Sequence, residues 1–163
     1  MFKRVALLAG GLVLMASAHA GPPLRFDAHL QGYNASGAPV KTSAVGQAKV
    51  EIVDDGTAIY YQVEVAGVEN AFMAHIHVAN APVQLTDPAG PPVFWFFGGP
   101  PPSGGNAIQE RINGSLARGY INADSDLTGG TLAQLASAIM EGRASIILHT
   151  TQNPAGELRG VLQ

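Results

Sequence analysis

The chain has 163 residues, with nine basic side chains against 12 acidic ones and no cysteine. A formal charge of −3 without a basic stripe argues against nucleic acid and anionic membrane surfaces as partners. The missing cysteines exclude disulfides, cysteine-ligated zinc, iron–sulfur clusters, blue-copper thiolates and thiol nucleophiles, which leaves histidine, carboxylate and methionine as candidate ligands.

In chain order, Lys3 and Arg4 come first, ahead of an apolar run from Val5 to Met15 that ends in small residues around Ala18-His19-Ala20. This is the pattern of a secretory signal peptide with an A-x-A cleavage site. The run is short for a bilayer span and no later stretch would serve as an anchor, so no membrane span is expected. The expectation is therefore a signal peptide over 1–20 and one domain over 21–163, exported to a periplasm or to the medium. Losing Lys3 and Arg4 leaves seven basic residues against 12 acids, a formal −5 for that domain.

From Leu24 onward, short alternating runs separated by turn residues predict an antiparallel sandwich or barrel. Strands are expected over Leu24–Gln31, Gln47–Val53, Ala58–Val65, Phe72–Ala79, Val93–Phe97, Gly114–Ile121, Ala144–His149 and Glu157–Leu162. Alternation is clearest in the second and third. Ala48, Val50 and Ile52 share one face there, and Ile59, Tyr61, Val63 and Val65 face inward against Tyr60, Gln62 and Glu64 outward. Asp54-Asp55-Gly56-Thr57 joins these two as a tight hairpin, with Gly56 supplying a positive φ. One segment departs from period two: Leu132, Leu135, Ala136 and Ile139 recur at helical spacing behind Thr131, with Gln134 completing a capping box and Gly142 ending the helix.

Chemistry concentrates at His75-Ile76-His77 and at His149, which opens the run HTTQNPAGELRG. Alternation along a strand sends His75 and His77 to the same side, and His149 from a distant strand would complete a three-imidazole metal site. The competing reading is architectural, with imidazoles donating to backbone carbonyls and binding nothing. Met73 has the parity of the pair and His29 is the other reserve ligand, although Asp27 shares its face. Near the end, Glu157 and Arg159 share one strand face and are expected to pair with each other or with the neighbouring strand, with a ligand-binding role for Arg159 as the alternative. The run Val93-Phe94-Trp95-Phe96-Phe97 reads either as a strand buried on both faces or as an aromatic edge in which Trp95 and Phe96 grip a ligand. Asp124-Ser125-Asp126 is read as a loop rather than a calcium site. No G-x-S-x-G elbow and no P-loop is present, so nucleophilic catalysis and nucleotide chemistry have no local support.

The segments RFDAHLQG, AVGQAKVEIVDDGTAIYYQVEVAGV, AHIH, GYINADSDLTG and ILHTTQNPAGELRGVLQ resemble, in order and spacing, the CHRD domain, named for its repeats in chordin and found alone in secreted bacterial proteins. That resemblance implies a secreted or periplasmic binding module without catalytic activity, its partner an extracytoplasmic protein or small ligand. The insertion PVFWFFGGPPPSGGNA departs from the family's shorter strand. A more distant likeness is to copper/zinc superoxide dismutases, which carry an H-x-H strand pair and a later His. It implies copper as the candidate cofactor on His75, His77 and His149 and a copper-binding or redox protein as the alternative function. The cysteine pair and the His-rich zinc loop of those enzymes are missing here, which argues against dismutase activity. Together the patterns predict an all-β, Greek-key antiparallel β-sandwich, immunoglobulin-like or superoxide dismutase-like, with one short helix.

Overall fold

The computed structural model describes residues 21–99 and 110–163; the expected signal peptide and the proline-rich stretch from Pro100 to Gly105 lie outside the described residues. Eight strands and one helix follow in order: β1 (Leu24–Leu30), β2 (Val45–Val53), β3 (Ala58–Glu69), β4 (Ala71–Val78), β5 (Pro92–Phe97), β6 (Arg111–Ile121), α1 (Leu132–Met140), β7 (Ala144–Thr150) and β8 (Leu158–Val161). Each expected element is present. The largest difference in length is in β3, which runs on to Glu69 through register shifts against β6 that let a long strand bend around the core.

The strands form two antiparallel four-stranded sheets, ordered β1-β2-β3-β6 and β5-β4-β7-β8. Chain neighbours β3 and β4 lie in different sheets, and β4 sits beside β7, which gives the Greek-key crossing expected of a sandwich. On one side the sheets are stitched together. Gln31 and Arg159 exchange backbone hydrogen bonds of 2.9 and 2.8 Å, and Asp27 and Gln163 exchange bonds of 2.9 and 3.0 Å. On the other side, between β5 and β3, Tyr61 packs against Phe94 and Phe96 at centroid separations of 5.7 and 4.8 Å.

The core follows the period-two pattern. Ala48, Val50, Ile52, Ile59, Tyr61, Val63 and Val65 are buried against Ala74, Ile76, Ile146 and Leu148 of the facing sheet. Asp55 and Gly56 both take positive φ, 54° and 91°, in the turn from β2 to β3. Helix α1 starts at the capping box, where the Thr131 hydroxyl accepts from Gln134 N and the Gln134 side chain accepts from Thr131 N. It then buries Leu135, Ala136 and Ile139 over one end of the sandwich.

Glu157 and Arg159 do not pair with each other, and Glu157 instead meets the neighbouring strand through Thr150 of β7. Glu157 precedes β8 and accepts from the Thr42 and Thr150 hydroxyls at 2.6 and 2.5 Å, whereas Arg159 turns to the opposite side, toward residues 84–87. The reason is that β8 begins only at Leu158, so Glu157 is not held to the strand's alternation.

Candidate metal centre

The outward face of the β5-β4-β7-β8 sheet carries Trp95, His75, Ile147 and Arg159 in one row, each opposite the next in the strand register. Met73 stands opposite His149 in one flanking row and His77 opposite Ser145 in the other. A face with this composition would ordinarily be wet. Here it is roofed by residues 33–40 and 79–91 and by the β7–β8 turn, which bond to one another through Ala89 N to Ala35 O and Ala35 N to Ala155 O, both at 3.0 Å. Beneath the roof His75 is 2 % exposed, His77 and His149 are each 5 % exposed, and Arg159 is fully buried.

The three imidazoles meet. Ring centroids of His75 lie 4.5 Å from His77 and 4.6 Å from His149, and one nitrogen from each ring falls within 4.8 Å of the other two. His77 Nδ1–H donates to Gly90 O at 2.6 Å, and His149 Nδ1–H donates to Pro154 O at 2.9 Å. A carbonyl only accepts, so both rings are fixed as Nδ1–H tautomers with a lone pair on Nε2. Those two Nε2 atoms, together with Nδ1 of His75, are buried and unpartnered. Backbone carbonyls behind Nδ1 and bare Nε2 atoms in front make the outer-shell arrangement that metal-binding histidines require. A metal ion at 2.0–2.1 Å from each nitrogen needs donors roughly 3.4 Å apart, inside the 4.8 Å within which these atoms lie.

The rings are neutral. Burial, then the neighbouring His77 and His149, push His75 down to about 2. Burial lowers His77 to about 4 against the Gly90 hydrogen bond, with His149 and Arg159 adding to the fall, and burial likewise lowers His149. Neutral imidazole is the ligating form, so no proton has to leave before a metal binds at neutral pH. Among the described residues no carboxylate joins the cluster.

Trp95 stands edge-on to His75 at 5.6 Å, closing the cluster on the β5 side. Its indole Nε1 is buried without a partner. Phe96 faces the other way, into the inter-sheet core against Tyr61, and takes no part in the cluster. Arg159 donates to the carbonyls of Gln84 and Leu85 at 3.3 and 3.1 Å and to that of Asp87, and its Nε stays unpartnered. Burial lowers its pKa while Asp87 opposes the shift. His29 is exposed and separate, in a shallow cleft with Gln31, Gln84 and Leu85.

Sequence reasoning missed the roof. Gly90 was the available signal: its φ is 81°, and a Cβ there would lie 2.2 Å from Val78 O, so only glycine lets this loop close onto β4 and offer its carbonyl to His77.

Fold and site together define a class, a Greek-key β-sandwich module with a buried three-imidazole cluster on the outer face of one sheet. The CHRD domain model matches residues 26–162, so the chain belongs to the CHRD domain family. No curated protein and no solved structure gives a significant match. Among the described residues, no helix is long and apolar enough to cross a membrane.

Proposed function

We propose that this chain is an extracytoplasmic, non-catalytic binding module whose ligand is one transition-metal ion, copper or zinc, held by His75 Nδ1, His77 Nε2 and His149 Nε2. One observation carries the reading: three buried imidazole nitrogens converge without hydrogen-bond partners, two of them on rings whose tautomer is fixed by backbone carbonyls. A purely architectural role for the histidines would leave three buried ring nitrogens unsatisfied, each costing about 1–3 kcal/mol. A bound cation replaces that loss with coordination. Imidazole donors suit copper and zinc and are poor ligands for calcium or magnesium.

Near-complete burial of the rings favours retention over turnover, because catalytic metal sites keep a position open to substrate. The basic, apolar and small-residue order of residues 1–20 supports export. The family supports an extracellular setting.

The test is metal titration of the purified protein with Cu(I), Cu(II) and Zn(II). Trp95, the chain's one tryptophan, serves as the fluorescent reporter. A variant with His75, His77 and His149 changed to Ala is titrated in parallel, with His149→Gln as a milder substitution should the triple variant unfold. One equivalent bound tightly by the wild type and lost in both variants supports the proposal. Equal binding by wild type and variants, or none, refutes it.

A further inference from the structure

The charge and composition of the outer face point beyond a generic metal site. Resting on the three-imidazole reading, we infer that the site selects monovalent copper, Cu(I), over the divalent ions Cu(II) and Zn(II).

The donors are three neutral nitrogens, and among the described residues no carboxylate joins them to offset a second positive charge. The charged group sharing their buried face is a cation. Arg159 is fully buried opposite Ile147, which is itself opposite His75, so two strand spacings of about 4.8 Å separate its strand from that of His75 and His77, and one spacing separates it from that of His149. Its hydrogen-bond partners are neutral carbonyls, and the acid that opposes the fall in its pKa, Asp87, lies on the exposed side of the roof, where solvent screens it. Glu157 is held by Thr42 and Thr150, and Asp87 accepts from Gln84 N. At about 10 Å in partly buried surroundings, each additional unit of charge on the metal weakens binding by roughly tenfold through Arg159 alone. The desolvation cost rises more steeply still, with the square of the ionic charge.

Coordination preferences agree. Zn(II) takes a fourth ligand and Cu(II) a tetragonal set, usually completed by water or an anion. The roof, Trp95 and Ile147 keep bulk solvent away from the cluster. Cu(I), a soft closed-shell ion, is satisfied by three imidazoles. Met73, a thioether residue of the kind Cu(I) prefers, stands opposite His149 in the strand register.

Anaerobic competition of the purified protein against a Cu(I) chelator, beside Cu(II) and Zn(II) competitions, decides the matter. The expected result is one Cu(I) bound at least a thousandfold more tightly than either divalent ion. Each tenfold preference for Cu(I) over Cu(II) raises the potential of the bound couple by about 59 mV, which gives an independent electrochemical readout. In Arg159→Gln, Zn(II) affinity relative to Cu(I) is expected to rise about tenfold, while Arg159→Lys leaves the ratio unchanged. Zn(II) or Cu(II) held as tightly as Cu(I) by the wild-type protein overturns this inference and leaves the metal site standing. Failure to bind any of the three ions overturns both. The wild-type comparison decides even if the Arg159 variants do not fold.

Discussion

The two sheets turn opposite outer faces to their surroundings. On the β1-β2-β3-β6 sheet the outward residues are solvated. Arg25 pairs with Glu51 at 2.9 Å, Gln62 donates to Glu64 at 2.8 Å, and Tyr60 lies against Tyr120 in the open. On the β5-β4-β7-β8 sheet the outward residues are no less polar, yet His75, His77, His149 and Arg159 are buried under a roof of loops. Polar side chains on a wet face need no partners from the protein. The same side chains under a roof must be satisfied individually, and the bare ring nitrogens there are what the proposed metal site rests on.

The largest expected effect contrasts the two faces directly. Arg159→Met strands the carbonyls of Gln84, Leu85 and Asp87 beneath the roof and is expected to cost about 3–5 kcal/mol in urea unfolding. Arg118→Met, on the outer face of the other sheet, is expected to stay within about 0.5 kcal/mol. Equal losses would mean that the roof contributes nothing that depends on Arg159.

Metal is the next perturbation in size. At a free concentration one hundred times the dissociation constant, a site formed only in the folded state raises stability by about 2.7 kcal/mol. Thermal unfolding of the wild type with and without Cu(I) is expected to show that gain, and the triple histidine variant is expected to lack it.

A pH titration of the metal-free protein sharpens the comparison further. Histidines lowered in the folded state to about 4 at His77 and about 2 at His75 are neutral there, while the unfolded chain takes up protons below the ordinary value of about 6.5. Stability is therefore fully present above pH 6.5 and lost as pH falls, by up to about 1.4 kcal/mol per pH unit for each imidazole until its folded pKa is reached. Urea unfolding between pH 7 and 4.5 measures the slope. A slope unchanged in the triple variant would place the acid sensitivity elsewhere.

The smallest effects lie away from the roofed face. Removing the helix cap with Thr131→Ala is expected to cost about 1 kcal/mol, because it frees a backbone donor at Gln134. Arg25→Ala breaks an ion pair whose Arg25 side chain is 71 % exposed and is expected to change stability by less than about 0.5 kcal/mol, with no dependence on added salt beyond that. Both follow from chemical denaturation in the same buffer.

Local pattern carried much of the architecture. Alternation in Gln47–Val53 and Ala58–Val65 assigned the inward faces residue by residue, the Thr131–Gln134 spacing located the start of α1, and strand parity put His75 and His77 on one side. These features depend on neighbours within a few residues, and side-chain direction along a strand or helix is a local property. The fates of Glu157 and Phe96 were not local. Glu157 lies just outside β8 and follows Thr42 and Thr150, and Phe96 turns to Tyr61 from a strand whose every residue is apolar, so its pattern names no face.

By itself, then, the sequence determined the strands, the helix, the absence of thiol chemistry and the pairing of His75 with His77. Only the tertiary structure decided that His149 joins them and that Gly90 and Pro154 supply the carbonyls behind the rings. It also decided that Arg159 is buried as a cation on the same face. Each of these depends on segments far apart in the chain meeting over one sheet. That meeting is set by Greek-key strand order and loop closure, for which a short stretch of sequence carries no period to read.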